Sequence, residues 1–179
     1  MHITIRDFCE NDIDNKIKWI NDDRINKFLH YDIPLIKEKT KTWFNNVKNL
    51  KNRYDAIIEA DGNPVGLIGL LAIDDKNRKA EYYICIGEIE YMGKGIARRA
   101  SEILLNIAFE KYHLNKVYLF TEINNINAQK LFKKLGFKQE GILKSDLIYN
   151  GKEVDRVVMG MLFIDYKSRG YGNSNNQIK

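Results

Sequence analysis

Tyr91-Met92-Gly93-Lys94-Gly95-Ile96-Ala97 decides the reading of the fold, because it joins two segments of different hydrophobic period. Before it, residues 80–86 (AEYYICI) are rich in Tyr and Ile and read as a strand. After it, residues 96–112 set Ala97, Ala100, Leu104, Ile107 and Ala108 along one face of a long helix. The two glycines allow a sharp turn and let backbone approach a ligand with no Cβ in between. The first N–H groups of a helix have no internal acceptor and, with the helix dipole, favour a phosphate. Lys94, Arg98 and Arg99 add positive charge beside them. A Walker loop is excluded, since no Gly-Lys-Ser/Thr follows four spacer residues. A dinucleotide fingerprint fails at Arg98, where its third glycine would stand, and no βαβ unit precedes it. A bare Gly-x-Gly also fits a purely structural turn.

Upstream, residues 54–60 and 65–73 alternate as strands around the hairpin signal Asp61-Gly62-Asn63. A second turn at residues 74–77 leads into the strand at 80–86, completing an antiparallel meander. Residues 2–6 form a first strand. Between lie short helices through Ile13, Ile17 and Ile20 and through Ile25, Phe28 and Leu29. A further helix over residues 37–50 puts Trp43, Val47 and Leu50 on one face. Downstream come a short strand at 117–121 and a polar turn at Asn124-Asn125. A helix through Ala128, Leu131, Phe132 and Leu135 follows, stopped by Gly136. Two last strands, 137–148 and 153–163, meet at Asn150-Gly151, another hairpin signal. One domain spans residues 1–166, and the polar tail 167–179 reads as disordered.

The 179 residues suit a single core, and 44% hydrophobic with 30% charged is ordinary for a globular chain. No apolar run reaches the roughly 18 residues of a membrane span, and residues 1–12 alternate polar and apolar without the apolar core expected of a signal peptide. Two cysteines, Cys9 and Cys85, suggest neither a disulfide framework nor a metal cage, so a reduced, cytoplasmic setting without membrane fits. The net charge of +5 admits nucleic acid or an anionic ligand, but the basic residues are scattered and no nucleic-acid-binding motif stands out.

Strand, Gly93-Lys94-Gly95-Ile96-Ala97, long helix, strand, Asn-rich turn, short helix and Leu135-Gly136-Phe137 together resemble the GNAT acetyltransferase superfamily. The stretch from Gln139-Glu140-Gly141 through Tyr149-Asn150-Gly151-Lys152 to Val158-Met159-Gly160 is similar to the branch holding ribosomal-protein-alanine, spermidine and amino-sugar acetyltransferases. The resemblance implies an α+β, three-layer GNAT fold: a mostly antiparallel mixed sheet of about seven strands, four flanking helices and a splayed central cleft. It implies acetyl-CoA as co-substrate, no metal, and a small-molecule or peptide amine as acceptor. Relatives often dimerise through the last strands, which admits a homodimer here.

By the same resemblance, backbone N–H groups of Gly93, Lys94, Gly95, Ile96 and Ala97 would hold the pyrophosphate, with Met92 and Arg98 flanking them in the cofactor site. Ile84, Cys85 and Ile86 would line the pantetheine arm, and Asn125, Asn127, Lys130 and Lys133 would add polar contacts. Met92 replaces the usual Gln or Arg, a small loss where backbone does the binding. Phe132 replaces a tyrosine that many members use to protonate the leaving thiolate.

Amide formation requires a neutral amine, so a group must take a proton from the ammonium. Glu81 on the third meander strand and Glu122 at the end of the next strand are the carboxylates in reach, and each also suits an ordinary surface ion pair. Tyr149 in the last hairpin is a candidate proton donor. His2, His30 and His113 share no spacing that marks a site, and Cys85 reads as a buried strand residue and not a nucleophile.

Overall fold

The computed structural model describes residues 1–170. Seven strands form one sheet: β1 (Ile3–Asp7), β2 (Tyr54–Ala60), β3 (Asn63–Asp74), β4 (Lys79–Ile86), β5 (Lys116–Glu122), β6 (Lys138–Tyr149) and β7 (Lys152–Leu162), in the order β1-β2-β3-β4-β5-β7-β6. Every neighbouring pair is antiparallel except β4 and β5. The predicted turns hold: Asp61-Gly62 and Asn150-Gly151 each adopt two successive positive φ angles, the geometry of a two-residue hairpin.

Among the described residues six helices cover the two faces, two more than the four expected. The short α2 (Asp23–Asn26) and α6 (Phe163–Ser168) bring the number to six. On one face pack α4 (Ile96–Asn106), α5 (Ile126–Leu135) and α6, burying Leu104, Leu105, Phe132, Leu135 and Tyr166 against the inward residues of β4, β5 and β7. Beyond Asn106, residues Ile107–Lys111 loosen into a π turn that closes with Tyr112 N–H on the Ile107 carbonyl, 3.1 Å. On the other face α1 (Ile13–Ile20), α2 and α3 (Lys37–Val47) enclose Trp19, Ile20, Ile25 and Phe44 over Ile57, Leu67 and Cys85. The result is three layers around one sheet.

Two expectations about these helices are corrected. The buried face of α3 is Thr40 and Phe44, whereas Trp43 and Val47 are half-buried and Leu50 is exposed. Trp43 packs at the margin of the core, edge-on to Phe8 at 5.8 Å, while Leu50 lies beyond the end of the helix. The short helix near Ile25 ends at Asn26, which leaves Phe28 and Leu29 in a half-buried loop. At the other end, α6 takes in Lys167 and Ser168, because fully buried Tyr166 packs tilted on Phe109, ring centroids 4.8 Å apart, and its hydroxyl accepts from Asn106 Nδ2 at 3.0 Å. Residues 171–179, the rest of the predicted tail, lie outside the described residues.

Candidate active site

The pairing of β4 with β5 sets the geometry. Only Lys79, Ala80 and Glu81 pair in register with Lys116, Val117 and Tyr118. Beyond Glu81, β4 continues to Ile86 bound to β3 alone, and β5 continues to Glu122 bound to β7 alone. Two facing strand edges therefore diverge, each with unpaired backbone groups that can accept an added extended chain.

At the mouth of this V stand the N-termini of α4 and α5, which follow the carboxyl ends of β4 and β5. They are not equivalent. Asn125 caps α5 with its own side chain, accepting from Ala128 N–H at 3.2 Å. Gly95, the N-cap of α4, makes no side-chain cap, and the first intrahelical bond runs from Arg99 N–H to its carbonyl at 3.1 Å. The amides of Ile96, Ala97 and Arg98 precede that bond and are left to a ligand.

Gly93 and Gly95 have φ of +74° and +79°, and a Cβ built on either meets nothing within 4 Å. The loop is thus strained for any other residue and open to approach. Gly87 differs: a Cβ there would lie 2.2 Å from the Trp19 ring, so that glycine serves packing. Arg98 and Arg99 share one carboxylate, Glu102, at 3.0 and 3.3 Å, and Lys94 has no acidic partner among the described residues. The helix end is therefore net positive. A pocket of about 460 Å³ opens on its β1 side, lined by His2, Lys94, Gly95 and Arg99 among others.

The remaining predicted cofactor residues are placed as follows. Ile84, Cys85 and Ile86 form the diverging edge of β4. Met92 is exposed on the loop, and Asn127, Lys130 and Lys133 are exposed on the first two turns of α5. Cys85 is 8% exposed, and burial pushes its thiol up to about 12, which suits packing and not nucleophilic attack.

Opposite α4 and α5, the sheet face toward α1 and α2 carries the titratable groups. Glu81 sits at the apex of the V, where the two strands part. Burial raises its carboxyl above the usual range against the opposing pull of Arg156, and it has no hydrogen bond or ion pair among the described residues. Two strand steps along β5, Phe120 lies under the Arg156 guanidinium, 4.5 Å from centroid to carbon. Arg156 is bound in turn to Asp146. At the end of β5, Glu122 Oε1 is 2.5 Å from His30 Nε2, with both side chains at most 15% exposed. Tyr149 packs edge-on against the His30 ring at 5.0 Å, and its hydroxyl donates to the Tyr31 carbonyl and accepts from Asn26 Nδ2, both at 3.3 Å.

The structure thus brings Glu81, Glu122 and Tyr149 to one face and adds His30, which the sequence reading set aside. Its partner is 92 residues away in the chain, so no local spacing could reveal it. Phe132 is buried between Tyr82 and Phe137, ring centroids 5.7 Å from each. Tyr82 is no substitute proton donor, since its hydroxyl is bonded to Ser101 Oγ at 2.6 Å.

A mixed sheet that splits beside a glycine-loop helix terminus, with carboxylates across the split, defines an acyl-CoA-type transferase scaffold. The chain belongs to the acetyltransferase (GNAT) domain family, which matches residues 2–138. It is 38% identical over 96 residues to spermidine N(1)-acetyltransferase of Escherichia coli (strain K12), a match covering 54% of this chain and 51% of that protein. The chain therefore spans about half the length of that relative. It is 31% identical over 169 residues to YdaF, a ribosomal N-acetyltransferase-like protein of Bacillus subtilis (strain 168), covering 90% and 91%. A solved structure of spermidine N-acetyltransferase from Vibrio cholerae, in complex with CoA and spermine, superposes with a TM-score of 0.86 at 27% identity, over 92% of this chain and 98% of that one.

Proposed function

We propose that the chain is an N-acetyltransferase moving an acetyl group from acetyl-CoA to a primary amine by direct attack on the thioester. The observation that carries this reading is the three-pair contact between β4 and β5, opening in front of an uncapped, glycine-led helix terminus. The loop fits the co-substrate: two positive-φ glycines leave room where a Cβ would intrude, and three free amides with a surplus of cationic side chains suit a pyrophosphate. Amides of Gly93–Ala97 would hold the phosphates, and the edge of Ile84–Ile86 would pair with the amide-bearing arm. When bound, the co-substrate supplies an activated acyl group on sulfur. Phe132 offers no proton, and a thiolate leaves readily without one.

On the acceptor side, Glu81 is the group that meets the ammonium, since among the described residues it alone of the carboxylates facing the cleft has neither an ion pair nor a hydrogen bond. Asp146 is held by Arg156 and Glu122 by His30; farther along the same face, Asp55 is held by Arg53. One free carboxylate suits an acceptor with a single amine, such as a protein α-amine or an amino sugar, ahead of a polyamine. The Escherichia coli and Vibrio cholerae relatives carry spermidine in their names, which keeps a polyamine as the competing acceptor.

Calorimetry with acetyl-CoA, and thiol release with an alanine-starting peptide, an amino-sugar nucleotide and spermine, test these readings. Binding abolished by Gly95→Asp, with turnover fastest on a monoamine, is the expected outcome. Fastest turnover on spermine overturns the acceptor assignment. Binding with no thiol released from any amine would make the chain a non-catalytic acetyl-CoA-binding module.

A further inference from the structure

We propose that His30 is the base that takes the acceptor's proton, with Glu122 as its positioning residue. The proposal rests on the acetyltransferase reading above and adds a catalytic group to it.

Three observations place His30 in this role. The Glu122 carboxylate, 2.5 Å from Nε2, accepts a hydrogen and so fixes the tautomer with the proton on Nε2. That leaves the lone pair on Nδ1, for which the described residues provide no hydrogen-bond partner. The ring is held from the side by Tyr149, and the His30 backbone sits at φ +58°, an uncommon conformation that the surrounding bonds of Asn26, Tyr31 and Tyr149 maintain. Finally, the pair joins the loop after α2 to the last residue of β5, at the diverging edge and on the same face as Glu81. A carboxylate, an oriented imidazole and a free ring nitrogen at a cleft form the arrangement by which acyl-transfer sites activate a nucleophile.

The step is a proton transfer. An N–H bond of the acceptor ammonium breaks and an Nδ1–H bond forms, leaving the nitrogen lone pair free to attack. The imidazolium is balanced by the Glu122 carboxylate, and its proton passes to water before the next turnover. The second amine proton leaves with the departing thiol. The charged or titratable groups around this pair are Tyr149 and Asp146 from β6 and Arg156 from β7, directly across from Glu122 in register, while the Tyr31 ring is turned toward Lys16. Arg156 is already bound to Asp146, which leaves the Glu122 charge to His30.

The test uses the best acceptor of the panel above. Wild-type kcat/KM should rise with pH as a single group on the enzyme loses a proton. His30→Gln should lower it on the order of 100-fold at pH 7 and remove that limb, with acetyl-CoA binding unchanged by calorimetry. Added imidazole should restore part of the activity of His30→Ala. Glu122→Gln should keep the limb but move it to lower pH, because the imidazolium loses its counter-charge. Glu81→Gln should keep the limb in place. A His30→Gln loss below tenfold, or an unaltered limb in that variant, overturns the proposal while leaving the acetyltransferase reading intact. If the His30 variants do not fold, absence of the wild-type limb overturns it on its own. Absence of turnover by the wild type sinks the transferase reading itself.

Discussion

Lys16 shows how much a single side chain can be displaced from its ordinary chemistry. It lies 6% exposed on α1, its ammonium 4.0 Å from the Trp43 ring centroid and 5.3 Å from that of Tyr31. Burial pulls its pKa down to about 8, and the aromatic faces return part of that cost. Because the folded value is the lower one, the unfolded chain holds the extra proton between about pH 8 and about 10.5. Stability should therefore rise with pH across that window. Lys16→Met should flatten the rise and be about 2 kcal/mol more stable at pH 7, measured by denaturant titration at several pH values. Glu81 presents the opposite sign. Burial raises its carboxyl, so stability is fully present at low pH and declines as pH climbs through the raised value. Glu81→Gln should melt higher than wild type at pH 7 and gain nothing at pH 3, while kcat/KM falls more than tenfold. A variant that melts lower at pH 7 would show that the carboxylate is held by partners and not isolated.

Among the elements, those defined by local chemistry could be read from sequence. Asp61-Gly62 and Asn150-Gly151 can each enter the left-handed region cheaply, so both hairpin turns follow from four residues, whereas the bulges that shift the registers at Ile58/Glu59, Gln139/Gly141 and Leu143/Leu147 do not. The start of α4 at Ile96 and its glycine loop were equally legible, as was the stop of α5 at Gly136, φ +105°. What escaped depended on distant partners. The helix α6 exists because Tyr166 finds Phe109 and Asn106, and His30 matters because it finds Glu122. The stripe on α3 misled because Trp43 follows the right period yet lies beside the seam, where it serves the Lys16 ammonium. The docking of α1 offers an element-scale prediction. Gly87 abuts Trp19, whose indole N–H donates to Glu88 at 2.8 Å. Gly87→Ala should push α1 outward, costing about 1–3 kcal/mol. A red-shifted Trp emission and a lowered Tm should accompany it, with acetyl-CoA affinity little changed.

At the scale of the whole molecule, the two halves of the sheet are assembled differently. The strands β1 to β4 lie side by side in chain order, and β5 to β7 form another group joined to them through α4. A ligand bridging the two should stabilise the fold by mass action, by about 2.7 kcal/mol at a concentration 100 times its Kd. Differential scanning fluorimetry should show acetyl-CoA raising Tm by several degrees, with the effect shrinking as salt screens Lys94, Arg98 and Arg99. An unchanged Tm at saturating acetyl-CoA would place the ligand elsewhere or nowhere.

The seam between those halves has a mechanical consequence. It carries three residue pairs where the seams flanking it, β3 to β4 and β5 to β7, carry seven each. The softest line in the protein therefore passes through the place where chemistry would occur, and it behaves as a fault held shut at one end. An extended co-substrate lying in it would act as a splint. Those amides of Tyr82–Ile86 and Leu119–Glu122 that point into the split should then exchange with solvent faster than the amides of the same segments that bond to β3 and β7, and slow together once the fault is braced.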